Sequence, residues 1–289
     1  MFVNFHKIIT LGFLVCCLPF VSFAQEEEVE ERTLENHETY AKLNTGERKA
    51  VAHPHLREAD VIYSRRISRL IDSREKKNQI INWPANRLGD IIYKAITKGI
   101  DGEAPLTAYR TDSLVTEMTT EEVLKQGSTE QTSRVYPDPD DPDFYYDTVI
   151  LNEFNPVDII KFRIAEDVIF DKQRGMFVTR IVAIAPLYRL EVEGQDLGEE
   201  PIAWVKYDDL RHVLVNQEMF NRHNDAMRLS FLDFFEARLF ASYIVKEPNS
   251  FDYDIMDFEE YENDPYGALL ESERIKEEIF NFEQDLWEY

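Results

Sequence analysis

The sequence predicts an α+β fold: basic N-terminal helices, a small antiparallel sheet, a buried central helix and a C-terminal amphipathic helix. Three stretches carry that prediction. Asp225 to Val245 has no Gly or Pro, with Leu232, Phe235, Leu239 and Tyr243 on one helical face and Met227, Phe231, Phe234 and Ala241 beside them. A helix that is apolar nearly all round is buried nearly all round. Ile159 to Trp204 alternates apolar and polar residues and is rich in β-branched side chains, which fits three or four antiparallel strands. The final stretch, from about Gly267 to Trp287, places Ala268, Ser272, Ile275, Ile279, Phe282 and Leu286 on one stripe, with Glu271/Arg274 and Glu273/Lys276 as i,i+3 pairs outside it.

Lys7, the apolar run Ile8 to Val21 and the small residues of Ser22-Phe23-Ala24 read as a secretory signal over residues 1–24. The run is too short for a comfortable membrane span. Cys17 after an apolar stretch raises a lipoprotein reading, which Cys16 in the preceding position disfavours. Both cysteines fall inside the signal, so the processed chain has no disulfide, thiolate metal site or cysteine nucleophile. Residues 25–56 are polar and acid-rich and read as a mobile arm. Its His53-Pro54-His55 reads as a solvated loop, because no further ligands follow at metal-site spacing. Residues 57–289 are expected to form a single α+β domain.

Within that domain Arg57 to Lys77 is predicted as an amphipathic basic helix. Val61, Ile62, Ile67, Leu70 and Ile71 recur at near-helical spacing, with Arg65, Arg66, Arg69 and Arg74 on other faces. A second helix is predicted from Leu88 to Lys98, with Gly99 as its stop. Thr119 to Leu124 reads as a capped short helix. Residues 128–156 read as an acidic, Pro-rich surface loop. Its Asp138 to Asp143 run resembles a calcium loop, but Asp143 and Val149 stand where an EF-hand needs Gly and Glu. Asp252, Asp254 and Asp257 form a second, looser version of the same pattern. Asp171 to Gly175 is a polar turn between strands.

Charge is large and segregated. The formal net charge is −24. Residues 61–100 hold nine Lys/Arg against three Asp/Glu, whereas residues 246–289 hold three against fifteen. Such a chain repels nucleic acid and anionic membrane over most of its surface. The basic island either lies against an acidic tract of its own chain or meets the acidic face of a neighbouring subunit, a head-to-tail contact that closes into a ring. Arg228, Asp233, Glu236 and Arg238 sit among the aromatics of the central stretch. They either snorkel to the surface or find partners on other segments.

No catalytic set holds together. The sequence has no Walker loop, G-x-G-x-x-G, G-x-S-x-G or H-E-x-x-H. His212 and His223 are the histidines of the folded body, and nothing near either signals a triad. No cofactor or metal site is assigned.

Several blocks in order resemble the GldN/PorN family of Bacteroidota gliding motility and type IX secretion. They are Glu58-Ala59-Asp60-Val61-Ile62-Tyr63-Ser64 with Ile71 to Lys76, Phe170-Asp171-Lys172-Gln173-Arg174, Arg180 to Pro186, Asn221 to Ala226, and Ala268 to Lys276 with Asp285-Leu286-Trp287-Glu288-Tyr289. Tyr63 stands where the family carries Trp. The resemblance implies a non-enzymatic periplasmic subunit on the inner face of the outer membrane, without a membrane span of its own. It implies a ring built with an outer-membrane lipoprotein of GldK/PorK type, coupled to the periplasmic region of a GldM/PorM-type inner-membrane motor. It raises the ring reading of the charge pattern. Arg65, Arg66, Arg69 and Arg74, with Trp287 and Tyr289 at the chain's end, are the candidate interface residues. The alternatives are a free periplasmic ligand-binding protein or enzyme using His212 and His223, and a calcium-regulated adhesion module using Asp138 to Asp143.

Overall fold

Residues 61–72 form a strand, where their spacing predicts a basic helix. The computed structural model describes residues 48–287 except 101, 127, 136–145, 153, 193–194, 223 and 225–226, with the backbone alone for 129–135, 146–152, 190–192, 195–197 and 286–287. In β1 (Val61–Asp72) the first half alternates partly buried and exposed positions, and the second half is buried on both faces. A strand buried on both faces loses its period of two, so Ile67, Leu70 and Ile71 mimic helical spacing. β-Branched and aromatic residues favour the extended form. The helices predicted at the N-terminal end of the domain therefore reduce to one, α1 (Leu88–Thr97), with six buried residues on its inner face. Gly99 ends it at φ 75°, where a Cβ would stand 2.0 Å from the Glu103 carbonyl oxygen.

The chain continues through the short strands β2 (Ala108–Tyr109) and β3 (Glu117–Met118) to α2 (Thr120–Lys125). Thr119 and Glu122 close the capping box that their spacing predicts. Two further strands, β4 (Thr129–Val135) and β5 (Tyr146–Asn152), pair antiparallel; the Asp138 to Asp143 run lies outside the described residues. The long strands β6 (Lys161–Asp171) and β7 (Met176–Val192) follow, then β8 (Gln195–Pro201) and β9 (Trp204–Lys206). Asp171 Oδ1 accepts from the backbone N–H groups of Gln173 and Arg174, which shapes the predicted turn between β6 and β7. The remainder is α3 (Tyr207–Leu214), the hairpin β10 (Glu218–Met219) and β11 (Leu229–Ser230), α4 (Phe231–Glu236), edge strand β12 (Tyr243–Lys246) and α5 (Pro265–Trp287). The main sheet is antiparallel in the order β12-β1-β6-β7-β9-β2-β3, with β8 paired to the far part of β7. This is the predicted α+β class with a larger sheet than the sequence suggests.

Ile67 lies opposite Glu166 and Ile71 opposite Phe162. By alternation they share one face with Ile164 and Val168. That face carries two apolar clusters. Ile71, Phe162 and Ile164 pack with α1, α3 and α4, whereas Ile67 and Val168 pack with Ile244, Ile255, Ala268 and Ile275. α5 covers the second cluster with the predicted stripe: Ala268, Ser272 and Ile275 are buried, and Phe282 meets Tyr63 at 4.8 Å between ring centroids. The Leu286 side chain is not described. The i,i+3 pairs form as predicted, Arg274 to Glu271 at 2.6 Å and Lys276 to Glu273 at 3.0 Å.

The buried central helix is not formed. Among the described residues of Asp225 to Val245, only Phe231–Glu236 is α-helical. Ser230 and Asp233 form a capping box that starts it there. It stops because Arg238 adopts φ 51°. Arg238 N–H donates to the Phe235 carbonyl and Leu239 N–H to the Phe234 carbonyl, the paired bonds of a Schellman ending. The aromatic density is still core, since Phe231, Phe234, Phe235 and Phe240 are all buried. Burial of aromatics does not require one continuous helix; a short helix, a turn and an edge strand bury the same side chains.

Candidate interaction site

The strand conformation of β1 fixes where the basic island points. Its register sets Arg66 directly opposite Asp167, and the guanidinium grips that carboxylate at 2.7 and 2.9 Å. Arg65 reaches Glu247 and stands 3.7 Å from Glu278 on α5. Arg69 donates from Nε to Glu166 Oε2 at 3.0 Å. Just past the strand, Arg74 donates from Nε and Nη2 to Asp72 at 3.0 and 2.5 Å. All four predicted interface arginines thus meet carboxylates of their own chain. They differ in access: the Arg66 and Arg74 side chains are 45% and 63% exposed, those of Arg65 and Arg69 only 21% and 14%. Trp287 is the last residue of α5, its side chain not described, and Tyr289 lies outside the described residues.

Glu166 is the centre of this arrangement. It is fully buried on β6, at the junction of the two apolar clusters. It accepts from Arg69 and from both terminal nitrogens of Arg238, at 2.9 and 3.0 Å. Arg238 also lies over the Phe240 ring at 5.2 Å. Burial pulls the Arg69 pKa down; Glu166 opposes that and the second guanidinium, Arg238, reinforces it. For Asp72 burial acts upward, but the hydrogen bonds from Arg74 outweigh it and hold the carboxyl below its ordinary value.

The charged residues of the predicted central stretch find partners on other segments. Arg228 meets Glu218 at 3.1 Å, Asp233 meets Arg48 at 3.4 Å and Glu236 meets Arg211 at 3.2 Å. Two of those partners lead to the end of the N-terminal arm. Residues 48–56 lie along the body, with Arg211 donating to the Val51 carbonyl and Arg180 to the Pro54 carbonyl, both at 2.6 Å. With the body they line an open pocket of about 500 Å³, walled by His53, Asp167, Arg180, Lys206, Arg211 and His212. His223 lies outside the described residues. Asp254, offered by sequence as part of a loose metal loop, pairs with Arg163 and caps a short turn with Asp257. Among the described residues no group of three potential metal ligands comes together.

Glu166, Asp167, Arg211 and Arg238 carry most of this geometry, and sequence reasoning named only Arg238. One signal was available. Phe162, Ile164 and Val168 mark the inward parity of β6, and Glu166 occupies the same parity. An acid at an inward strand position demands a buried cation.

Among the described residues no helix is long and apolar enough to cross a membrane. No curated protein matches the chain. The family described as gliding motility associated protein GldN matches residues 56–288. That match spans well over half of the chain, which therefore belongs to the GldN family and is a structural component of gliding motility and type IX secretion, working in a complex with other proteins.

Proposed function

We propose that this chain is a periplasmic ring subunit of the type IX secretion and gliding machinery. In this reading residues 1–24 are the export signal, 25–56 an arm and 57–289 the ring-forming domain. The subunit assembles with an outer-membrane lipoprotein of GldK/PorK type beneath the outer membrane, and the ring engages the periplasmic region of a GldM/PorM-type motor. Its work is mechanical: contacts between subunits transmit force and fix geometry, with no bond made or broken. The observation that carries the reading is the family match over residues 56–288.

The surface supports an assembling protein. The outer side of α5 leaves Leu269, Leu270 and Phe280 about half exposed, and Phe251 and Tyr253 stand out from the preceding loop. Of the candidate interface arginines, Arg66 and Arg74 retain the access a partner needs. Co-expression with the lipoprotein, followed by size-exclusion chromatography and negative-stain microscopy, tests the reading. Co-eluting megadalton rings are expected; a folded monomer that ignores the lipoprotein overturns it.

A further inference from the structure

Arg66, Asp167 and Arg180 stand side by side on three neighbouring strands. The register sets Asp167 of β6 opposite Arg66 of β1 on one side and opposite Arg180 of β7 on the other. Directly opposed residues of an antiparallel pair share a face, so two cations flank one carboxylate. Arg66 takes it, gripping both oxygens at 2.7 and 2.9 Å. Among the described residues no carboxylate pairs with Arg180. Its Nη2 donates to the Pro54 carbonyl at 2.6 Å, and its Nε is buried without an acceptor. The chain has 56 acidic against 32 basic side chains, so carboxylates are the abundant partner. A partly buried arginine without one is therefore a cation held for another anion.

Arg180 lines the open pocket of about 500 Å³. Ala50, Ala52 and His53 close one side of it, with Ala50 packed on the main core. Lys206, at the end of β9, lines the same pocket, and among the described residues it too has no carboxylate partner. The acids of the pocket are otherwise engaged. Arg66 holds Asp167, and Asp208 turns a 60% exposed side chain outward, 3.9 Å from Arg211. Arg211 is matched by Glu236 at 3.2 Å. Arg180 and Lys206 are the cations left over, with His212 beside them. The rest of the wall is aliphatic, formed by Ile169, Ile181 and Val182. A few convergent polar groups among apolar walls, in a space of this size, is the make-up of a small-ligand site. A guanidinium presents five donors in a planar fork that matches a carboxylate. A carboxylate on a short aliphatic stem satisfies both the cations and the wall; a bare inorganic anion satisfies the cations alone.

We propose that this pocket is a carboxylate-binding site: Arg180 and Lys206 hold the carboxylate, and the aliphatic wall holds its stem. Small dicarboxylic acids and glutamate side chains of a bound polypeptide both carry that group. The site is independent of the ring reading, because one folded chain contains all of it.

The test titrates the isotope-labelled chain with glutarate, with a blocked Gly-Glu-Gly peptide and with inorganic phosphate, each at constant ionic strength made up with chloride. Amide chemical shifts are followed by NMR. The expected result is saturable shifts centred on Arg180, Ile181, Lys206 and His212 with glutarate or the peptide, and weaker binding of phosphate. Arg180→Gln should weaken binding about tenfold, the scale of one charge-assisted hydrogen bond. Lys206→Gln, at an exposed position, keeps the fold and should weaken binding severalfold, so the test survives if Arg180→Gln does not fold. Lys94→Gln, on the exposed side of α1, should change nothing. Saturation by glutarate supports a free acid as the ligand, and saturation by the peptide alone supports a polypeptide partner. Shifts that never saturate, that centre elsewhere, or that persist unchanged in Lys206→Gln and in any folded Arg180→Gln overturn the site. Phosphate bound as tightly as glutarate overturns the role of the aliphatic wall.

Discussion

Arg238 ends α4 in a left-handed conformation while its guanidinium closes on the buried carboxylate of Glu166, 72 residues earlier in the chain. A position that usually takes glycine is thus held by a cross-segment ion pair. The same contact ties the aromatic cluster around α4 to the sheet where the two apolar clusters meet. Glu166→Gln keeps the shape and removes the charge that two arginines share. It should lose on the order of 3–5 kcal/mol, the range for breaking a buried ion pair. Arg238→Gly relieves the backbone by roughly 1 kcal/mol but leaves Glu166 with one partner, so it too should destabilise. Urea denaturation of both variants checks this; a more stable Arg238→Gly chain would mean that the ion pair contributes less than the strain costs.

Charge reversal should divide the basic island in two. Arg69→Glu would place a second carboxylate against fully buried Glu166, and the chain should lose several kcal/mol or fail to fold. Arg66→Glu acts at a half-exposed pair with Asp167 and should cost about 1 kcal/mol or less. Arg74→Glu acts at the surface and should leave the fold intact. The informative assembly variant is therefore Arg66→Glu with Arg74→Glu. Thermal melting should show it folded, and its co-elution with the lipoprotein then reports on the interface alone. Normal folding of Arg69→Glu would contradict the buried geometry assigned to Glu166.

What was legible in the sequence follows from how local the physics is. The helix ending at Gly99, the capping box of Thr119 and Glu122, the turn at Asp171 and the stripe of α5 are each specified by residues within a turn or two of one another. β1 misled because burial on both faces erased its alternation, and the residues that bury Ile67, among them Val168, Ile244 and Ile275, lie about 100 to 200 positions downstream. The Asp225 to Val245 stretch misled because its stop is an arginine in the left-handed conformation, paired with Glu166 from a distant strand. The candidate interface was legible only as a patch of charge. Which arginines remain accessible depends on strand parity, which a helical reading scrambles.

Tyr207 offers a test with two readouts. Its phenol is almost completely buried, its hydroxyl has no hydrogen-bond partner among the described residues, and its ring packs edge-on to Phe235 at 6.0 Å. Burial, aided by Glu236, pushes its pKa well above the ordinary 10.0. Above about pH 10 the unfolded chain releases this proton while the folded chain keeps it, so stability falls as pH rises through that value. Tyr207→Phe removes an unmet polar group and should stabilise by about 1 kcal/mol at neutral pH. It should also flatten the alkaline loss, measured as melting temperature from pH 8 to 11. A destabilised variant would reveal a partner for the hydroxyl.

The edge of the main sheet depends on a side chain rather than on another strand. β12 is the outermost strand, and its Ile244 N–H donates to Ser272 Oγ of α5 at 2.8 Å in a buried setting. A strand edge with an unmet donor invites pairing with another chain, and here the helix both covers the edge and accepts from it. Ser272→Ala keeps the helix, since alanine is the better helix former, and leaves the Ile244 N–H buried without an acceptor. The expected cost is about 1–3 kcal/mol, localised rather than spread through the fold. Hydrogen exchange distinguishes the two: the Ile244 amide and the first half of α5 should exchange faster while Ile164 and Ile184 in the sheet interior keep their protection. Uniform acceleration across the sheet would mean that α5 is required for the whole fold, and unchanged exchange at Ile244 would mean that water replaces the serine.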